Sequence, residues 1–97
     1  MKNYEDIGNI IKDLISNSKI GREINKYNLF NHWQEIVGEE ISKKSKPTRL
    51  KRGILFVSVS SSTWANELSL MSDQLIDKIN FFLKEKVVNE IRFKPGL

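Results

Sequence analysis

The chain has 97 residues, of which 39% are hydrophobic and 29% charged, and it contains no cysteine. This length suits one small domain and leaves no room for a second, so residues 1–97 are predicted to form a single domain. Without cysteine, disulfide-stapled folds and thiolate metal sites are excluded. The formal net charge is +4 and the pI is about 9.4.

The positive charge is concentrated in one short segment. Residues 1–42 hold five bases and seven acids, and residues 53–97 hold five of each. Between them, residues 43–52 carry six bases and no acid, namely Lys43, Lys44, Lys46, Arg49, Lys51 and Arg52. We call residues 43–52 the basic segment. The net charge therefore reflects a local patch and not an evenly basic chain.

The N-terminal residues mix acids with apolar residues, which does not fit a secretory signal peptide. No uninterrupted apolar run approaches the roughly 20 residues that a membrane helix needs. A cytoplasmic location is therefore expected.

Two amphipathic helices are predicted in the first half of the chain. The first spans Tyr4–Ser16 and is followed by a connector over residues 17–21. The second spans Glu23–Val37 and has apolar residues at intervals of three and four, namely Ile24, Tyr27, Phe30, Trp33 and Val37. Residues 39–45 are predicted to add a short helical turn, which Pro47 prevents from continuing.

Strand patterns follow Pro47. Ile54–Ser60 alternates Leu55, Val57 and Val59 with other residues and is the clearest strand of the sequence. Thr48–Lys51 is predicted to pair with it as a hairpin through Arg52 and Gly53, with the turn type left open because this dipeptide is not Asn-Gly.

A long helix and a last strand complete the predicted fold. The helix begins near Thr63, and its apolar stripe extends to Leu83, with a possible break at Ser72-Asp73. The last strand is predicted over Val87–Lys94. The order helix, helix, strand, strand, helix, strand indicates an α+β fold in which helices cover one face of a three-stranded sheet.

Residue patterns typical of catalysis are missing from the sequence. Its single histidine, His32, lies beside a tryptophan, where a surface or partly buried role is favoured over a catalytic one. Glu39-Glu40 and the pair Asp73 and Asp77 are explained by solvated helix faces better than by a metal site. The five glycines form no phosphate-binding motif. We therefore predict a non-enzymatic protein without cofactor or metal.

The basic segment has two interpretations. It is either an ordinary solvated surface or a contact surface for nucleic-acid phosphates, to which Ser45 and Thr48 add hydroxyl groups. Phe56 lies on the opposite side of its strand from Leu55, where it either stacks on a base or packs under a helix. Trp33 and Trp64 are interpreted mainly as structural anchors, with a partner contact as the alternative.

Several spaced motifs resemble the DciA family, and their order and spacing are specific only in combination. They cover nearly the whole chain after the first predicted helix. In chain order they are Phe30-x-x-Trp33-x-x-Ile36-Val37-Gly38-x-x-Ile41, Ser45-x-Pro47-x-x-Leu50-x-x-Gly53-x-Leu55-x-Val57-x-Val59, Ser62-x-Trp64-Ala65-x-Glu67-Leu68, Ile79-Asn80-x-x-Leu83 and Ile91-Arg92-Phe93-x-x-Gly96.

The resemblance implies a KH-like α+β fold, binding to the DnaB-type replicative helicase, and DNA binding in support of helicase loading. It places the family core at residues 22–97, after an N-terminal helix and connector over residues 1–21. The sequence lacks the G-x-x-G loop with which KH domains usually grip nucleic acid, so the basic segment is the expected contact. A KH-like RNA-binding module and a protein-interaction module without nucleic acid remain the alternatives.

Overall fold

The computed structural model describes residues 19–97. The predicted helix Tyr4–Ser16 lies outside this range. The described helices are α1 (Lys19–Asn31), α2 (Trp33–Val37), α3 (Glu39–Lys44), α4 (Ser62–Leu70) and α5 (Ser72–Leu83). The described strands are β1 (Ser45–Lys51), β2 (Ile54–Val59) and β3 (Glu90–Pro95). This order confirms the predicted α+β class, with each of the two longer predicted helices in this range divided in two.

The predicted second helix is interrupted at His32, whose φ of −120° and ψ of 23° leave the helical region. The side chain of His32 bonds back into α1, with Nδ1 2.9 Å from the Asn28 carbonyl oxygen. Because a carbonyl only accepts, this nitrogen is the donor. The ring also lies against Phe82 of α5, with centroids 5.4 Å apart. His32 therefore has a structural role at the junction of α1 and α2.

The buried face of α1 is not the one that the predicted spacing marks. Leu29 is fully buried, whereas Ile24 and Tyr27 are 46% and 64% exposed. The apolar spacing that links Ile24 and Tyr27 to Trp33 does not mark the buried face of α1, because the helical phase is not continuous across the break. The start of α1 at Lys19 also corrects the predicted connector, which had included residues 19–21.

The third predicted helix divides at Met71, one residue before the possible break at Ser72. The side chain of Ser61 caps α4 by accepting a hydrogen bond from the Trp64 backbone N–H at 3.2 Å. The apolar stripe of this region is the buried one, because Leu68, Leu75 and Ile79 have at most 1% exposure. The predicted stripe is therefore confirmed across the break.

The three strands form one sheet in the order β1-β2-β3. β1 and β2 are antiparallel, and β2 and β3 are parallel. The two residues between β1 and β2 are Arg52, with φ 51°, and Gly53, with φ 80°. Two consecutive positive φ angles in a two-residue loop are the requirement of a type I′ turn. The predicted hairpin is therefore confirmed, and its turn type is established.

The hydrophobic core of the described residues lies on one face of the sheet. Leu55, Val57 and Val59 of β2 point into it and are at most 2% exposed. The helices contribute residues of the same cluster, including Leu29, Trp33, Ile36, Val37, Leu68, Leu75, Ile79 and Leu83. Ile54 and Phe56 alternate with the buried residues of β2 and point away from this core. The helices of residues 19–97 therefore cover one face of the sheet and leave the other open.

A β-bulge in β1 determines which of its side chains reach the open side. Pro47 pairs with Val57, but Arg49 pairs with Phe56, so Thr48 is the extra residue. Strict alternation would place Lys46 and Arg49 on opposite faces, because side chains alternate along a strand. The inserted residue puts both on the open side and turns Leu50 toward the core.

The predicted boundaries of β1 and β3 need correction. β1 begins at Ser45 and includes Pro47, which an edge strand tolerates because it needs no ladder hydrogen bond there. β3 begins at Glu90, although Val87 and Val88 were predicted to belong to it. Val88 is instead fully buried in the preceding loop. The Asn80 side chain holds that loop, since its Oδ1 accepts from the backbone N–H groups of residues 87 and 88.

Candidate nucleic-acid interface

The face of the sheet that points away from the core is the strongest candidate site among the described residues. We call it the open face, and strand register divides it into three rows of neighbours across β1, β2 and β3. The rows are Lys46, Ser58 and Lys94; Arg49, Phe56 and Arg92; and Lys51, Ile54 and Glu90. The three residues of β2 are partly exposed and the six of the edge strands are exposed.

Phe56 lies at the centre of the open face with a guanidinium on each side. The Arg49 Cζ is 5.7 Å from its ring centroid, and the Arg92 Cζ is 5.9 Å from it. Both distances are within the range of cation–π attraction, which contributes roughly 0.5–1 kcal/mol at exposed sites. Phe56 does not belong to the hydrophobic core of the described residues. The structure therefore places it on the face opposite the helices of residues 19–97.

The open face is strongly basic. Among residues 19–97 it carries five bases, Lys46, Arg49, Lys51, Arg92 and Lys94, and one acid, Glu90. Glu90 pairs with Arg92, whose Nε lies 2.6 Å from its carboxylate. The charge is therefore uneven, because the row at Ser58 holds two bases remote from the acid, whereas Glu90 lies in the row at Ile54 and offsets Arg92 in the row at Phe56. A polyanion is attracted most strongly toward the Ser58 end.

Arg92 and Lys94 were missed by sequence reasoning, which treated the C-terminal part of the chain as neutral. They enter the site because β3 lies parallel beside β2. A signal was present, since Arg92 and Lys94 alternate with the apolar residues Ile91 and Phe93. That alternation predicts a basic face on β3, but it does not say which other strand lies beside it.

The structure distributes the six bases of the basic segment over three places. Lys46, Arg49 and Lys51 are on the open face. Lys43 and Lys44 form the last turn of α3, where the partial negative charge of the helix end favours them. Lys43 is also paired with Glu39, with 3.1 Å between its Nζ and the carboxylate.

Arg52 lies at the hairpin turn, beside a groove of about 550 Å³ between α1 and the loop that precedes β3. Lys51 lines the same groove at its boundary with the open face. The groove is lined by five basic and two acidic residues, namely Arg22, Lys26, Lys51, Arg52, Lys86, Glu23 and Glu85. The groove has as many bases as the open face and one acid more, so it is a slightly weaker polyanion site.

The two hydroxyl groups of the basic segment are engaged within the protein. Ser45 is 3% exposed, donates to the Ile41 carbonyl at 2.6 Å and accepts from Trp33 Nε1 at 3.1 Å. The prediction that Ser45 adds a hydroxyl to a phosphate contact is therefore wrong, because its hydroxyl is buried and its hydrogen already bonded. Thr48 Oγ1 donates across the bulge to the Phe56 carbonyl at 3.1 Å.

The tryptophans lie on the core side of the sheet. Trp33 is 6% exposed and is a member of the core, and Trp64 is partly buried and packs against it. Among residues 19–97, no three acidic or histidine side chains converge as they would around a metal ion. From α1 onward, no helix is long and apolar enough to cross a bilayer.

Comparison with known proteins identifies relatives across nearly the whole chain. The family described as "Dna[CI] antecedent, DciA" matches residues 6–93. A UPF0232 protein of Rhodococcus jostii is 34% identical over 70 residues, which are 72% of this chain and 37% of the relative. UPF0232 proteins of Mycobacterium ulcerans and Bifidobacterium longum are 27% and 29% identical over 91% and 90% of this chain, and 47% and 56% of their own lengths.

The chain thus spans about half the length, or less, of these curated relatives. The family match extends over both the helices and the sheet, including all three strands up to residue 93 of β3. It confirms the family that the spaced motifs resembled. This chain is a member of the DciA family.

Proposed function

We propose that this protein is a non-enzymatic accessory factor of bacterial DNA replication that binds DNA and the DnaB-type replicative helicase and assists helicase loading. The observation that supports it most is the gathering of five bases and an aromatic ring on the open face of a DciA-family sheet. Phosphates account for much of the affinity of proteins for nucleic acid, and Lys and Arg are their usual partners. Its place of action is the cytoplasm.

In this proposal the protein brings DNA to the helicase or holds the helicase in a state that accepts DNA. Lys46, Arg49, Lys51 and the two bases of β3 attract the DNA backbone. Lys43, Lys44 and Arg52 add to the field around the sheet without lying on the open face. ATP hydrolysis belongs to the helicase, since the sequence has no Gly-rich phosphate loop.

DNA binding is tested by reversing two lysines of the open face, Lys46→Glu with Lys94→Glu. These two flank Ser58 and leave the contacts of Phe56 unchanged. The matched control is Lys19→Glu with Lys78→Glu, two exposed lysines of α1 and α5 that change the net charge equally. We expect the first variant to lose about 10-fold or more in DNA affinity at low salt and the control to lose much less. Equal losses would show that only net charge matters.

The role in replication is tested by loading of purified DnaB-type helicase onto circular single-stranded DNA that carries an annealed oligonucleotide. Displacement of the oligonucleotide is the readout. We expect the protein to accelerate loading and the Lys46→Glu, Lys94→Glu variant to do so poorly. A pull-down with helicase after nuclease treatment separates direct contact from contact through DNA. Failure of both assays contradicts the proposal.

The same DNA assay, repeated with an RNA oligonucleotide of matching sequence, addresses the alternative of an RNA-binding module. Preference for RNA indicates recognition of the 2′-hydroxyl, which DNA lacks. The protein-interaction alternative is supported if helicase binds but neither nucleic acid does.

A further inference from the structure

We infer that the open face is a binding site for single-stranded DNA on which an unpaired base stacks against Phe56, between Arg49 and Arg92. The inference rests on the proposed function and specifies the form of DNA that the site takes. It also includes Arg92 and Lys94, the two bases of β3 that the basic segment does not contain.

The first argument is the position of Phe56. A solvated sheet face ordinarily presents polar side chains, whereas here an aromatic ring occupies the middle of the central strand. Exposed charged residues flank it on both edge strands. Neighbouring strands are about 4.8 Å apart, so basic residues lie within one strand spacing of the ring on either side. A base over the ring therefore has its phosphates within reach of cationic side chains.

The second argument is the pair of guanidiniums. Their Cζ atoms are 5.7 and 5.9 Å from the ring centroid, one from each edge strand. A planar guanidinium stacks on aromatic rings and also forms paired hydrogen bonds with phosphate. A base that stacks on Phe56 therefore takes the place of one guanidinium over the ring, and that guanidinium then contacts a phosphate of the same DNA strand.

The third argument separates single strands from duplex. In a duplex the faces of the bases are covered by stacking neighbours, so a ring on a sheet surface cannot reach them. An unpaired base can leave its neighbours and stack on an aromatic side chain, which is the usual contact of single-strand binders. Duplex DNA would be held only through its phosphates.

The uneven charge of the open face indicates which way the DNA strand runs across it. The row at Ser58 holds two bases and is remote from the acid, whereas Glu90 lies in the row at Ile54 and pairs with Arg92 of the row at Phe56. The bound DNA strand is therefore expected to run from Phe56 toward Lys46 and Lys94 and to avoid the end of the open face at Glu90.

The test uses the full chain, a fluorescent oligo-dT of about 15 nucleotides and a duplex of the same length. Phe56→Leu retains an apolar side chain but removes the stacking surface. We expect it to lower single-strand affinity about 5- to 100-fold and to change duplex affinity less than about 2-fold. Phe56→Tyr retains the ring and should bind single-stranded DNA like the unmodified protein.

The matched control is Phe81→Leu, because Phe81 is a phenylalanine on α5 with 86% exposure. We expect it to bind oligo-dT like the unmodified protein. Circular dichroism melting confirms that each variant is folded. Unchanged single-strand affinity of Phe56→Leu, an equal loss on duplex, or an equal loss in Phe81→Leu would each overturn the inference.

The outcomes for this inference and for the proposed function are distinguishable. If the unmodified protein loads helicase and binds DNA but Phe56→Leu binds like it, only the stacking site is wrong. If the unmodified protein binds neither DNA form, the DNA-binding function and the stacking site fall together. Tighter binding of an oligo-U RNA than of oligo-dT would overturn the assignment to DNA.

Discussion

Trp33 and Ser45 are joined by a buried hydrogen bond in which the indole Nε1 donates to the serine hydroxyl at 3.1 Å. The serine hydroxyl in turn donates a hydrogen bond to the Ile41 carbonyl at 2.6 Å. This chain of bonds connects α2, the middle of α3 at Ile41 and the first residue of β1. It fixes the point at which the chain changes from helix to the edge strand of the open face.

Ser45→Ala is expected to destabilise the protein by about 1–3 kcal/mol, because it leaves the buried Trp33 N–H without an acceptor. The matched control is Ser42→Ala, since the Ser42 hydroxyl donates to the Glu39 carbonyl at an exposed position. The control should cost less than about 0.5 kcal/mol. Urea unfolding measures both. In a Trp33→Phe background the cost of Ser45→Ala should shrink, and an undiminished cost would contradict the assigned bond.

Asn80 connects α5 to the loop before β3. Its Oδ1 accepts from the backbone N–H groups of Val87 and Val88 at 3.0 and 2.9 Å, and its Nδ2 donates to the Val88 carbonyl at 2.9 Å. We expect Asn80→Ala to lower the free energy of unfolding by about 2–3 kcal/mol, although alanine favours the helix. Gln74→Ala, at an exposed position of the same helix, is the control. Equal thermal melting of the two variants would refute this role.

The type I′ turn gives two opposite predictions. Arg52 has a φ of 51°, which asparagine adopts more readily than arginine, so Arg52→Asn should stabilise the hairpin by about 0.5–1 kcal/mol. Gly53 has a φ of 80°, and an added Cβ would lie 2.5 Å from Asn89 Nδ2. Gly53→Ala should therefore cost more than about 1 kcal/mol.

The control for the turn is Asn89→Ala combined with Gly53→Ala. This pair removes the side chain that the new Cβ would meet and leaves only the backbone strain. Its loss should be smaller than the sum of the two single losses, as measured by thermal unfolding. Additive losses would show that the contact with Asn89 is unimportant.

The salt dependence of DNA binding reports how many bases contact phosphate. If all five bases of the open face contact a single strand, the slope of log K against log salt should be about −3.5, at about −0.7 for each contact. Removing two contacts with Lys46→Glu and Lys94→Glu should reduce the slope by about 1.4. An unchanged slope in this variant would place the phosphate contacts elsewhere.

Local patterns in the sequence were sufficient for the elements whose periodicity is uninterrupted. The alternation of Leu55, Val57 and Val59 predicted β2 and its buried face, and the spacing from Leu68 to Ile79 predicted the buried side of α4 and α5. These patterns succeed because each depends only on neighbours along the chain. Interruptions such as His32 were missed, because periodicity on either side continues as if the helix were unbroken.

The charge arithmetic located six bases in residues 43–52, and the spaced motifs identified the family. Only the folded chain determined which bases share a surface. The bulge at Thr48 brings Arg49 to the same face as Lys46, and the parallel pairing of β3 adds Arg92 beside Phe56. Strand register and neighbour order depend on packing between residues far apart in sequence, and counts or periodicities of nearby residues carry no information about them. The basic site is therefore a property of the sheet as a whole, whereas the basic segment is a property of the sequence.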